Sequence, residues 1–221
     1  MFPKIFDPVY GELTSSNSWS GAQRGTSTSL TDASTVAIDL SLNNDFSLLT
    51  TSAVGSTRQL GIPTNYPIGS IRQTGTIDVF QDSVGSRALT YSWPWSFAAQ
   101  SAPTLSTSKG AHDQLYYRVN YFEASAAATL TIATPCVVTK SSHGYRYGQK
   151  VAFTSTSGSL PTGLSLNTAY YVNPIDTNTF NLATSLTNLR AGTYIATSGS
   201  QSGVHTMQSA SITISNNLDV G

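Results

Sequence analysis

The sequence predicts an all-β protein, and three observations carry that expectation. Short runs alternate apolar and polar residues, as in Thr35-Val36-Ala37-Ile38-Asp39-Leu40 and Ile77-Asp78-Val79-Phe80; this two-residue period is that of a half-buried strand. Gly, Pro, Asn and Asp interrupt the runs at intervals of roughly 8–12 residues, the spacing of a sandwich or barrel. No window of a dozen residues shows a 3.6-residue period, so helix is limited to a turn or two. The expected architecture is two small antiparallel β-sandwich or barrel-like modules, residues 30–124 and 125–221, behind an extended arm, residues 1–29.

The arm holds Phe2, Phe6, Tyr10 and Trp19 amid Ser/Asn/Gly-rich sequence without period, and reads as an extended segment that docks through its aromatics. Residues 35–40 and 46–49 then read as successive strands separated by the turn-rich Asn43-Asn44-Asp45. In residues 75–81, Ile77 and Val79 occupy one face while Asp78 and Phe80 share the other. The loop Asp82-Ser83-Val84-Gly85-Ser86 leads into residues 87–91, which is the pattern of a hairpin. Residues 113–122 form a long aromatic strand. A small, featureless stretch at 124–128 marks a boundary. Beyond it, strands are expected around residues 129–132, 136–138, 149–154, 169–172, 179–183, 203–207 and 211–214. The similar triplets Leu130-Thr131-Ile132 and Ile212-Thr213-Ile214 bracket this half, which suggests an insertion before the last strand of the first module.

Composition narrows the function. Charged residues are 10% of the chain, against about 25% in ordinary globular proteins, while more than one residue in four is Ser or Thr. The surface is therefore wetted by hydroxyls, and side chains for acid–base chemistry are scarce. Formal net charge is zero, so no concentrated basic patch argues for nucleic acid. No run of 18 apolar residues argues for a membrane-spanning helix. The first residues lack the apolar core of a secretion signal, so assembly in a cytoplasm is expected. The single cysteine, Cys136, reads as a small buried hydrophobe and forms no intrachain disulfide.

Candidate chemistry is thin. A glycan hydrolase needs two carboxylates facing each other across a sugar, yet the only glutamates, Glu12 and Glu123, stand far apart. Asp32, Asp39, Asp45, Asp82 and Asp176 fall in or near turns, where Asx hydrogen bonding accounts for them. His143 and His205 could approach one another as the first and last parts of one module, but no acidic or cysteine ligand accompanies them at metal-binding spacing. His112 beside Asp113 meets no Gly-x-Ser-x-Gly elbow. No catalytic residue, metal site or cofactor is expected. Trp93-Pro94-Trp95-Ser96-Phe97 admits two readings: a platform stacking on sugar rings, or burial in a core or subunit interface, since Trp95 and Phe97 alternate onto one side. Tyr145-Arg146-Tyr147 divides the same way between loop adhesion and packing.

Two groups of residues carry a resemblance. Thr31-Asp32-Ala33, Ile38-Asp39-Leu40-Ser41, Pro63-Thr64-Asn65, Gly75-x-Ile77-x-Val79-x-Gln81-Asp82, Gly85-Ser86-Arg87-x-Leu89, Trp95-x-Phe97, Pro103-Thr104-Leu105-Ser106-Thr107 and Asp113-x-Leu115-x-Tyr117 resemble β modules of tailed-bacteriophage fibre and surface proteins. His143-Gly144-x-x-x-Gly148-x-x-Val151-x-Phe153, Leu160-Pro161-x-Gly163-Leu164, Thr168-x-Tyr170-Tyr171-Val172, Asn178-Thr179-Phe180-x-Leu182-Ala183 and Gly203-x-His205-Thr206 are similar to a second module of such proteins. The physical content of that second set is folding: Gly144 and Gly148 permit positive φ in turns, and Val151, Phe153, Tyr171, Val172, Phe180 and Leu182 supply inward faces. The resemblance implies a non-enzymatic virion structural protein on the particle surface, a compact fibre or a capsid-decoration protein. It implies a homotrimer whose partners are other virion proteins, with host surface glycan as a further candidate and no catalytic residues.

Overall fold

A computed structural model describes residues 25–69 and 72–217. Phe2, Phe6, Tyr10 and Trp19 lie outside the described residues. The first half supplies β1 (Thr28–Leu30), β2 (Thr35–Val36), β3 (Asp45–Leu49), β4 (Thr57–Leu60), β5 (Thr74–Phe80), β6 (Ala88–Tyr91), β7 (Trp95–Phe97) and β8 (His112–Phe122). The second supplies β9 (Ala126–Leu130), β10 (Val137–Thr139), β11 (Lys150–Thr156), β12 (Tyr170–Pro174), β13 (Thr179–Ala183) and β14 (His205–Asn217). Helix among the described residues amounts to α1 (Leu186–Arg190) and two single 3-10 turns. Ser185 caps α1 by accepting from the Asn188 N–H at 3.0 Å. The chain is all-β, as its periodicity predicts.

The first half pairs its strands differently from the antiparallel expectation. β1, β3 and β5 run parallel in one sheet, and β2, β4 and β6 run parallel in a second. The chain crosses between sheets at each connection, so a strand meets its partner one coil later. Phe46 sits beside Ile77 and Leu48 beside Val79 in the first sheet, while Arg58 sits beside Leu89 and Leu60 beside Tyr91 in the second. The 82–86 loop is accordingly no hairpin turn. It carries the chain from β5 in one sheet to β6 in the other, and Asp82 holds the bend by accepting from the Val84 and Gly85 N–H groups and from Arg87. Residues 35–40 and 46–49 separate in the same way. Alternation specifies which face of a strand is buried; it says nothing about the neighbour that pairs with its edge.

β8 then lies antiparallel against β5, and β14 antiparallel against β8, extending the first sheet. Phe46, Leu48, Ile77, Val79, Leu115 and Ile212 face Val36, Leu60 and Leu89 across one sandwich core. Trp95 is sealed inside it and donates its indole N–H to the Gly61 carbonyl at 2.9 Å.

An ion pair is buried beside this core. Arg58 is 1% exposed and forks onto Asp32, which also accepts from the Thr51 N–H and hydroxyl. Arg58 donates further to the Thr51 and Gly55 carbonyls. Asp32 thus departs from the local Asx turn expected of it, whereas Asp39 and Asp176 each accept from backbone N–H groups two or three residues on.

The second half closes on itself. β14, β11, β12, β13, β10 and β9 pair antiparallel in that order, and β9 returns to β14. This closed barrel leaves no edge strand within the ring. Its interior takes Val138, Val151, Phe153, Val172, Phe180, Leu182 and Met207. Gly144 and Gly148 adopt φ of 61° and 78° in the turns, as their positions predict. Tyr171 corrects the expected inward set: Tyr170 and Val172 face the core, so alternation turns Tyr171 outward.

Truncating Arg58→Ala leaves the Asp32 carboxylate buried without its counterion and is expected to destabilise the chain by about 3–5 kcal/mol, whereas the pair Asp32→Leu with Arg58→Met costs much less. Urea unfolding measures both. Burial raises the Asp32 pKa, but hydrogen bonds from Arg58 and Thr51 outweigh it and hold the group below its ordinary 3.8. The stabilisation is therefore present in full above that value and lost as pH falls through the lower folded value. Asp32→Asn is expected to flatten that acid limb.

Candidate functional site

The two cores meet along a seam, and its polar chemistry is built by residues flanking β8, β11 and β14. Glu123, just beyond β8, is tied to the Ser209 backbone twice: its N–H donates to the Ser209 carbonyl at 2.9 Å, and its carboxylate accepts from the Ser209 N–H at 3.1 Å. The same carboxylate accepts from the Tyr145 hydroxyl at 2.6 Å and pairs with Lys140 at 2.5 Å. Lys140 also lies 4.8 Å from the centre of the Tyr145 ring. Burial, and then the Glu123 carboxylate, push the Tyr145 pKa well above the usual phenol range. Gln208 completes the joint by donating to the Glu123 carbonyl and to the Tyr66 hydroxyl. The Tyr66 ring in turn stacks on Phe122 at 3.6 Å.

A second joint is made by Lys150 at the start of β11. Its ammonium donates to the Trp93 and Trp95 carbonyls at 3.2 and 2.8 Å and to the Ser96 hydroxyl at 2.7 Å. These three bonds clamp the tight 92–95 turn of the sandwich onto the barrel. Burial lowers the Lys150 pKa to about 8.

Between the joints runs a groove of three compartments. The largest, about 740 Å³, lies between the 62–68 loop and the barrel wall carrying Thr154, Thr206 and Gln208. The next, about 500 Å³, is bounded by Gln59, Tyr91, Ser92 and Asn167. A third, about 430 Å³, is bounded by Phe97, Tyr121, Lys150 and Tyr171. Trp93 lines all three.

The residues singled out from sequence are placed as follows. Trp93 and Trp95 are buried, at 5% and 2% exposure. Trp95 is packed in the core, borders only the third compartment and offers no exposed ring for stacking, while Trp93 adjoins all three. Tyr145 is a buried strut on Glu123, and Tyr147 is exposed at 55% with its hydroxyl donating to the Leu189 carbonyl. His143 and His205 do not meet: one contacts the Asp176 carbonyl and the other the Thr156 hydroxyl. His112 contacts Asp78 at 2.9 Å and stacks on Phe80. Cys136 is buried, which pushes its thiol pKa up. Among the described residues no three His, Cys, Asp or Glu side chains cluster as metal ligands. The roles of Lys150, Gln208 and Asn167 escape the sequence reading. A lone Lys abutting Val151-Ala152-Phe153 was the one available signal.

This geometry defines a class, an all-β protein that joins a parallel-coil sandwich to a closed barrel across a polar seam. Comparison with protein families and with curated proteins gave no matching family model and no matching curated sequence.

Below about pH 8 the buried Lys150 ammonium is disfavoured relative to the unfolded chain, where the ordinary value is 10.5. Between about pH 8 and 10.5 the unfolded state holds the proton that the folded state has lost, so stability rises with pH from about 8 until tyrosines of the unfolded chain ionise near 10. Lys150→Gln is expected to remove that rise, as chemical denaturation at several pH values would show. An unchanged pH slope would refute the assignment.

Proposed function

We propose that this chain is a non-enzymatic structural protein of a tailed-bacteriophage particle, a compact fibre or capsid-decoration protein that acts as a homotrimer on the particle surface. The observation that carries this reading is the use of the acid groups. Every described Asp and Glu side chain accepts a hydrogen bond that ties a loop, a turn, a joint or, for Asp78, two neighbouring strands. Side chains committed in this way hold architecture together. The hydroxyl-rich, low-charge composition supports the same reading, because such surfaces pack against neighbours without desolvating ions.

An open strand edge supports the contact part of this reading. β1 pairs with β3 on one side, and among the described residues no strand flanks its other side. An open strand edge is a template for a further chain. Residues 1–29 lead into and include that edge, so the arm with Phe2, Phe6, Tyr10 and Trp19 is the proposed docking segment for virion proteins. Three copies would multiply weak contacts into stable attachment.

Deleting residues 1–29 is expected to leave a folded chain by circular dichroism that is absent from purified particles by immunoblot. Light scattering of the intact chain is expected to give three times the monomer mass. Normal incorporation of the truncated chain, or a strictly monomeric intact chain, would refute the proposal.

A further inference from the structure

The second sheet of the sandwich ends on an open strand. β6 bonds β4 on one side, and among the described residues no strand flanks its other side. The Ala88 and Ser92 N–H groups donate to the Ser56 and Leu60 carbonyls at the two ends of β4. Backbone groups alternate in direction along a paired strand, so the N–H and C=O groups of Leu89 and Tyr91 point to the open side. Among the described residues none of those four groups meets a backbone or side-chain partner.

A slot of about 340 Å³ runs along that edge. All four β6 residues, Ala88 to Tyr91, line it. A cavity over one face of a strand touches alternate residues, so this one follows the edge. Phe97 and residues 102–105 form its far wall. The two walls touch at one end, where the Ser86 N–H donates to the Thr107 carbonyl at 2.8 Å. Leu89 and Leu105 belong to the core at its floor, while Ala88 and Thr90 face water. No charged side chain lines it.

Two N–H and two C=O groups along one edge are matched by an extended backbone laid beside them. A compact apolar molecule would leave them unpaired. The arm supplies a segment of the required chemistry. Pro3 and Pro8 lack the N–H that a ladder needs, whereas residues 9–24 contain no proline. In an extended chain Val9 and Leu13 share one side with Gly11 between them, and Tyr10, Glu12 and Thr14 take the other. Val9 and Leu13 would then meet the Leu89–Leu105 floor, with the single charge of the run facing water. Reach is sufficient. β1 and β2 form the first coil and β5 and β6 the third, so the empty position lies three strand steps from β1, about 14 Å, and one layer across, about 10 Å. Residues 15–24 span up to about 33 Å when extended.

We propose that the free edge of β6 is a strand-acceptor site and that residues 9–14 of the chain's own arm occupy it, as a fourth strand of the second sheet. The tether holds this segment beside the slot at a high effective concentration, which favours it over a segment of another molecule. Phe2, Phe6 and Trp19 remain outside the slot, so the inference stands with or without the particle reading.

Amide hydrogen exchange of the intact chain, followed residue by residue by NMR, tests this. Leu89 and Tyr91 are expected to exchange slowly, as Ala88 and Thr90 do through their bonds to β4. Leu13→Asp puts a charge on the apolar floor and is expected to speed exchange at Leu89 and Tyr91 by about 10-fold or more, with Ala88 and Thr90 unchanged. A general loss of stability would speed all four. Phe2→Asp, outside the segment, is expected to alter none of them, and a synthetic peptide of residues 9–15 is expected to restore slow exchange to the Leu13→Asp chain. Fast exchange at Leu89 and Tyr91 in the intact chain, or slow exchange that survives Leu13→Asp, would overturn the proposal. Slow exchange that is lost on dilution would overturn it as well, by assigning the added strand to a second copy.

Discussion

One strand, β14, sets the geometry of everything else. Its 13 residues have both edges occupied at His205–Met207 and again at Ile212–Ile214. β9 and β11 flank its first part, and β8 and β7 flank its second. Alternation gives it two faces. Met207 points into the barrel core, whereas Ala210, Ile212 and Ile214, of opposite parity, point into the sandwich core. The two cores therefore lie on opposite faces of a single strand. Register shifts against β8 and β11 accommodate the change of partners.

The polar seam follows from that crossover. Where the buried face changes over, Gln208 and Ser209 are both buried, and neither belongs to a hydrophobic core. Their polar atoms must find partners. Glu123, Gln149, Tyr66 and the Lys150 carbonyl supply them. A chain with so few charged residues places several of them at joints: Glu123 with Lys140, Lys150 on the 92–95 turn, Asp32 with Arg58, Asp82 with Arg87. The contacts of Glu123, Lys150 and Asp32 join segments remote in sequence and lock the relative placement of elements that hydrophobic packing alone leaves free to slide. The groove is the remaining space along the seam, where the walls of two cores diverge on either side of Trp93.

Much of the strand content was legible from the chain, and so were many buried faces. Ile77 and Val79 inward with Asp78 outward, and the turns at Gly144, Gly148 and Asp176, follow from local pattern and local hydrogen bonding. The misreadings share one cause. The 82–86 loop resembles a hairpin turn because Asp and Gly bend a chain equally well whether the next strand returns to the same sheet or crosses to another. Tyr171 reads as inward because two adjacent tyrosines are equally apolar, and parity against Val172 has to choose between them. Trp93 and Lys150 are set apart from their neighbours only by what lies across the seam.

The all-β class, the scarcity of ionic chemistry and the alternation of buried faces are written in the residues, because these depend on residue type and spacing over a few positions. Tertiary structure alone decided the parallel coils, the closure of the barrel through β9 and β14, and the groove at Trp93. Each of those depends on which distant strand edge or side chain arrives opposite a given residue, and pairing between remote segments leaves no imprint on local periodicity.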